Sequence, residues 1–125
     1  MKAIRNWSAC LTGVLLLTTV GTSSATDDIV CTGRVATIGI HSTDRVMLRL
    51  TGMNTVVQIC HLAQTMGTTY PITPAQCKLA YATLVTAHTM GKQLSVYFDN
   101  VQSGTSCSTF VAWEVATARW VHLTD

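Results

Sequence analysis

Charge is scarce in this chain. Only 11% of its 125 residues are Asp, Glu, Lys or Arg, and the formal net charge is +2. Lys2 and Arg5 stand in the first five residues, which leaves six basic against six acidic residues from Thr26 onward. A neutral chain has no electrostatic hold on phosphates, so non-specific nucleic-acid binding is disfavoured. Short-range chemical motifs are missing as well. No Cys-x-x-Cys pair marks a zinc site, no Gly-x-Ser-x-Gly elbow marks a serine nucleophile, and His41, His61, His88 and His122 form no HxxxH or HxH pair. The aspartates and Glu114 suggest no acid pair. Nothing here points to an enzyme, a cofactor or a metal.

Long apolar runs are also absent beyond one. Ala9 to Val20 is mostly apolar, follows the basic Lys2 and Arg5, and precedes Ser23-Ser24-Ala25. A charged start, a short apolar core and small residues form the pattern of a signal peptide, with cleavage expected after Ala25. Twelve residues are too few for a bilayer, which takes about 20. Residues 26–125 then suit one domain with one core, secreted or periplasmic and with no membrane span.

Four cysteines remain after residue 25: Cys31, Cys60, Cys77 and Cys107. An even number in an exported chain reads as two disulfides. Three connectivities exist. The expected pairing ties Cys60, at the end of a strand, to Cys77 in the first turn of a helix, with Cys31–Cys107 as the second bridge.

That helix is the strongest local signal. Thr73 with Gln76 three residues on makes a capping box, Pro74 suits the first helical position, and Gly91 suits the left-handed stop. Cys77, Ala80, Tyr81, Leu84 and His88 share one stripe. The other face, with Lys78, Leu79, Ala82, Thr83, Thr86, Thr89 and Met90, carries one charge. A solvated helix face normally carries more, so Leu79, Ala82, Thr83, Thr86 and Met90 are expected at an interface with another copy.

Strand patterns surround the helix. Ile29 to His41 is rich in Ile, Val and Thr, with Gly33 and Gly39 as candidate bends. Arg45 to Thr51 alternates, with Val46, Leu48 and Leu50 inward and Arg45, Met47, Arg49 and Thr51 outward. Thr55 to His61 is a third strand. After the helix, Lys92 to Phe98 puts Leu94, Val96 and Phe98 on one face and Gln93, Ser95 and Tyr97 on the other. Asp99 to Ser108 reads as a loop, and Phe110 to Leu123 as a broken last strand. Trp113 and Trp120, within it, are expected to close a barrel. The order βββ-α-ββ is that of the OB-fold, a five-stranded Greek-key barrel.

Two runs carry a family resemblance. Met90-Gly91-Lys92-Gln93-Leu94-Ser95-Val96-Tyr97-Phe98, directly after the helix, resembles the Thr-Gly-Gln-x-Val-Arg-Ile-aromatic-aromatic run of B subunits of the subtilase-cytotoxin and typhoid-toxin type. Asp28-x-x-x-Thr32-Gly33 resembles their Asp-x-x-x-Ser-Gly run. The resemblance implies a pentameric AB5 B subunit that binds host-cell glycans, sialylated ones among them, and carries a catalytic A subunit. Its glycan-contacting positions here would be Asp28, Thr32, Tyr97 and Phe98. Thr32 adds a methyl to the family's serine, and Phe98 lacks the hydroxyl that the family's second aromatic can have. Periodicity alone gives Phe98 to the core. The alternative function is an exported OB-fold module that binds a protein and has no toxin partner.

Overall fold

Gly33 is the point on which the sheet turns. A Cβ there would collide with the Thr51 carbonyl oxygen and come within 2.8 Å of its Oγ1, so only glycine lets the two strands approach this closely. The computed structural model describes residues 26–124, and the signal-peptide expectation lies outside them. The first strand, β1 (Thr26–Ile40), is long enough to serve two partners. Its first part, Thr26 to Arg34, pairs with β4 (Gln93–Gln102), and Val35 to Ile40 pairs with β2 (Arg45–Leu50). With β3 (Val57–His61) and β5 (Thr117–Leu123) they form one antiparallel sheet, ordered β3-β2-β1-β4-β5.

The sheet curls into an OB-like half-barrel. Its two outer strands approach where the segment before β5 meets β3 in parallel, at Gln58 and Val115. Gln58 N donates to Glu114 O at 2.8 Å and Ala116 N donates to Gln58 O at 2.9 Å. The fold is therefore mainly β with one helix, in the order βββ-α-ββ. The last strand is shorter than its sequence pattern suggests, because residues 109–116 close the barrel without strand geometry.

The helix α1 (Pro74–Met90) lies between β3 and β4 in sequence and packs on β1, β3 and β5. Both halves of the capping box form: Thr73 Oγ1 accepts from Gln76 N at 3.3 Å, and Thr73 N donates to Gln76 Oε1 at 2.8 Å. Such a cap contributes about 1 kcal/mol. Gly91, at φ 63°, ends the helix. Cys77, Leu84 and Ala87 are fully buried, with Ala80 and Tyr81 half-buried beside them. His88 lies at the exposed edge of this stripe, where its Nδ1–H donates to Val35 O at 2.9 Å.

Two disulfides close the framework as expected. Cys31–Cys107 spans 76 residues and Cys60–Cys77 spans 17. By loss of unfolded-chain entropy they contribute roughly 4.5 and 3 kcal/mol, and they fit an oxidising compartment. No helix among the described residues is long and apolar enough to cross a membrane.

The core is lined by Val46, Leu48, Leu50, Val57, Ile59, Leu94, Val96 and Phe98, all fully buried. Met47 is buried too, but it stands apart from the core cluster that holds Val46, Leu48 and Leu50. The β2–β3 register shifts between Val46 and Met47, with Ile59 as the extra residue on β3.

Candidate functional site

The outer face of β1, β4 and β5 is built in cross-strand rows. Val30, Tyr97 and Trp120 occupy one row, and Thr32, Ser95 and His122 the next. Val30 and Trp120 are more than half exposed. Trp120 stacks on the His122 ring, with centroids 4.6 Å apart and planes at 29°. The Thr32 and Ser95 hydroxyls lie 2.6 Å apart and share a hydrogen bond. The Thr32 hydroxyl is thus already partnered on this surface.

Two register shifts set what stands beside this row. One, between Asp27 and Ile29, sets Asp28 of β1 opposite two residues of β4, Asp99 and Asn100. The other, where Tyr97 pairs with Trp120 but Phe98 with Ala118, leaves Arg119 as the extra residue on β5. The Arg119 guanidinium lies over the Tyr70 ring at 3.4 Å and 5.4 Å from the Tyr97 centroid. Its Nη1 is 3.8 Å from Asp99 Oδ1. Asp99 is 1% exposed, and neither carboxylate oxygen accepts a hydrogen bond of ordinary length. Burial pushes the Asp99 carboxyl above its usual range, the neighbouring Asp28 adds to the rise, and Arg119 opposes it. The β1–β4 ladder thus brings Asp28 opposite Asp99, a proximity that their sequence spacing conceals.

Open space borders these groups. A depression of about 480 Å³ is flanked by Tyr97, Arg119 and Trp120. A second cleft, of about 230 Å³, runs between α1 and β5, with Leu79 and Thr83 on one wall and Trp120 and Val121 on the other. Two aromatic rings and a guanidinium around an open depression can stack on an apolar face and hydrogen-bond a hydroxylated ligand.

Of the residues singled out from the sequence, Asp28, Thr32 and Tyr97 come to this face. Phe98 does not. It is fully buried and meets Phe110 edge to face at 5.5 Å, so it is a core residue and no surface contact. The barrel end that the tryptophans were expected to close is filled instead by Phe110, which is 3% exposed, while Trp113 and Trp120 are 57% and 59% exposed. Sequence reasoning missed Asp99, Arg119 and Tyr70. Asp99-Asn100 resembles a turn, and the bulge that turns Arg119 toward Tyr97 has no signature in a single sequence.

The remaining polar groups have local tasks. Asp27 Oδ2 accepts from Ser103 Oγ at 2.9 Å and Gly104 N at 3.2 Å, which ties down the turn after β4. His61 Nδ1 accepts from Ala63 N and Gln64 N, at 3.0 and 3.2 Å. No group of three or more His, Cys, Asp or Glu among the described residues is arranged to hold a metal ion. No protein-family model matches the chain, and neither the curated proteins nor the solved structures include a significant match to it.

Proposed function

We propose that this protein is an exported glycan-binding subunit of the AB5 B-subunit type, which binds host-cell carbohydrate through the outer face of β1, β4 and β5. One observation carries the reading: Tyr97, Trp120 and Arg119 border an open depression next to the buried Asp99. Indole and phenol rings offer flat apolar surface to the C–H face of a sugar, each with a polar edge. Arg119, steadied on Tyr70, offers donors to hydroxyl or carboxylate oxygens. Asp28 and Thr32 extend the polar rim.

The helix supports an assembly of several copies. Thr83, Thr86 and Thr89 donate their hydroxyls to the Leu79, Ala82 and Val85 carbonyls at 3.0, 2.8 and 2.9 Å. With those hydroxyls engaged, this face is less polar than its composition suggests. Leu79 and Met90 are 70% and 60% exposed on it. A ring of copies, five by the family resemblance, would pack these faces around a cyclic axis and carry the catalytic A subunit.

A glycan array with the oxidised protein tests the proposal. Binding should fall on Tyr97→Ala and Trp120→Ala. Uniformly blank sialylated and non-sialylated spots would overturn it in favour of a protein-binding module.

A further inference from the structure

Three residues other than glycine adopt positive φ among the described residues: Asp44, Asn100 and Trp113. Asp and Asn tolerate the left-handed region because their short polar side chains bond locally. A bulky indole does not, and Trp113 sits there at φ 67°. The turn that imposes this conformation is needed by the fold. Trp113 N donates to Val56 O at 2.9 Å, Gln58 Nε2 donates to Trp113 O at 2.7 Å, and Val111 N donates to the Glu114 carboxylate at 2.6 Å. Glycine or asparagine would meet that need without strain. Burial of the ring does not offset the strain either, because the side chain is largely exposed and Phe110 fills the barrel end. A strained residue that serves neither its turn nor the core points to a ligand.

The surroundings give the ligand's class. The His41 ring meets the indole edge-on, with centroids 6.1 Å apart. His41 Nδ1 accepts from Thr43 N at 3.3 Å, so the neutral ring carries its proton on Nε2. Arg45 Nη1 donates to Gln58 Oε1 at 2.5 Å, and Gln58 in turn holds the Trp113 carbonyl. Arg45 Nε is buried and has no hydrogen-bond partner, so Arg45 serves the turn through Gln58 and does not face solvent through this atom. An exposed indole thus stands beside the exposed imidazole of His41. A pyranose fits both: a C–H face for the indole and a ring or hydroxyl oxygen for the His41 N–H.

We infer that Trp113 is the platform of a second saccharide site, on the β3 side of the barrel, with His41 as a hydrogen-bond donor to the sugar. This site stands independently of the surface at Tyr97. The experiment is a glycan array probed with the parent, Trp113→Asn, His41→Ala and Tyr97→Ala, with thermal midpoints and sedimentation recorded for each. The proposal expects a set of glycans kept by Tyr97→Ala and bound at least tenfold more weakly by Trp113→Asn and His41→Ala. It also expects Trp113→Asn to melt at or above the parent's midpoint, since asparagine relieves the strain. If Trp113→Asn binds every glycan as the parent does, the proposal fails. A blank array, or a Trp113→Asn midpoint well below the parent's, also overturns it. So does a change in oligomeric state with sugar binding intact, which would make Trp113 a protein contact. If Tyr97→Ala abolishes all binding, the first site stands and the second falls; if only Trp113→Asn and His41→Ala lose binding, the second stands and the first falls.

Discussion

The two faces of β4 obey different rules. Inward, Leu94, Val96 and Phe98 alternate as a half-buried strand should, and all three are fully buried. Outward, Ser95, Tyr97 and Asp99 alternate just as regularly, yet Ser95 and Asp99 are buried as well. The inner face is buried by its own hydrophobicity. The outer one is covered by neighbours: Thr32 meets Ser95, and Arg119 reaches Asp99 across a bulge. Apolar burial therefore holds the inner face, while polar contacts organise the outer. Stability and chemistry are placed on opposite sides of one strand.

Substitution of the adjacent aromatics separates the two faces most clearly. Phe98→Ala empties a packed site and should cost about 3–5 kcal/mol in urea unfolding. Tyr97→Ala, one residue away on the half-exposed side, should cost about 1 kcal/mol while glycan binding falls. Similar costs for the two would erase the contrast and put Tyr97 in the core.

Acidity probes the outer face alone. The folded-state pKa of Asp99 lies above its ordinary 3.8, first through burial and next through Asp28. The folded protein therefore holds this proton more tightly than the unfolded chain. The associated stability is fully present below pH 3.8 and is lost as pH rises through the folded pKa. Asp28→Asn removes the repulsion but not the burial, so the loss should shrink without vanishing. Urea midpoints measured from below the ordinary carboxylate pKa up to neutrality follow it. Superimposable profiles for parent and variant would mean that Asp28 exerts no influence on Asp99.

The same division decides what is legible in the sequence. Local signals are: Thr73, Pro74 and Gly91 bound the helix correctly, and strand order with helix position leads to both disulfides. The inward face of β4 follows from period two. What fails depends on partners distant in sequence. Alternation expects an outward Met47 to be exposed, yet it is buried apart from the core cluster, which period two does not encode. Asp99 reads as loop because Asp-Asn favours turns, but β4 continues to Gln102 to pair with Thr26 of β1. Arg119 carries no signal, since its place beside Tyr97 and Asp99 comes from a bulge. Of the candidate site, Asp28, Thr32 and Tyr97 rest on a family resemblance, and the ions between the aromatics come only with the fold.

The smallest expected change in chain stability tests whether the helix repeats this division. Cys77, Leu84 and Ala87 face the core, whereas Leu79, Ala82, Thr83, Thr86 and Met90 lie on the other side. That side resembles the outer face of β4 in having polar atoms already engaged, here by the Leu79, Ala82 and Val85 carbonyls. Ala82 is exposed, so Ala82→Glu removes no core contact and should change the stability of a single chain by no more than about 0.5 kcal/mol. In a ring built on this face the same change sets like charges close together around the axis. Contact excludes the water that would screen them, so repulsion strengthens as the faces meet. The parent should then sediment as an oligomer and Ala82→Glu as a monomer at equal concentration, with urea midpoints compared under monomeric conditions. Monomeric sedimentation of both proteins would remove the ring from the proposal and leave the helix face simply solvated.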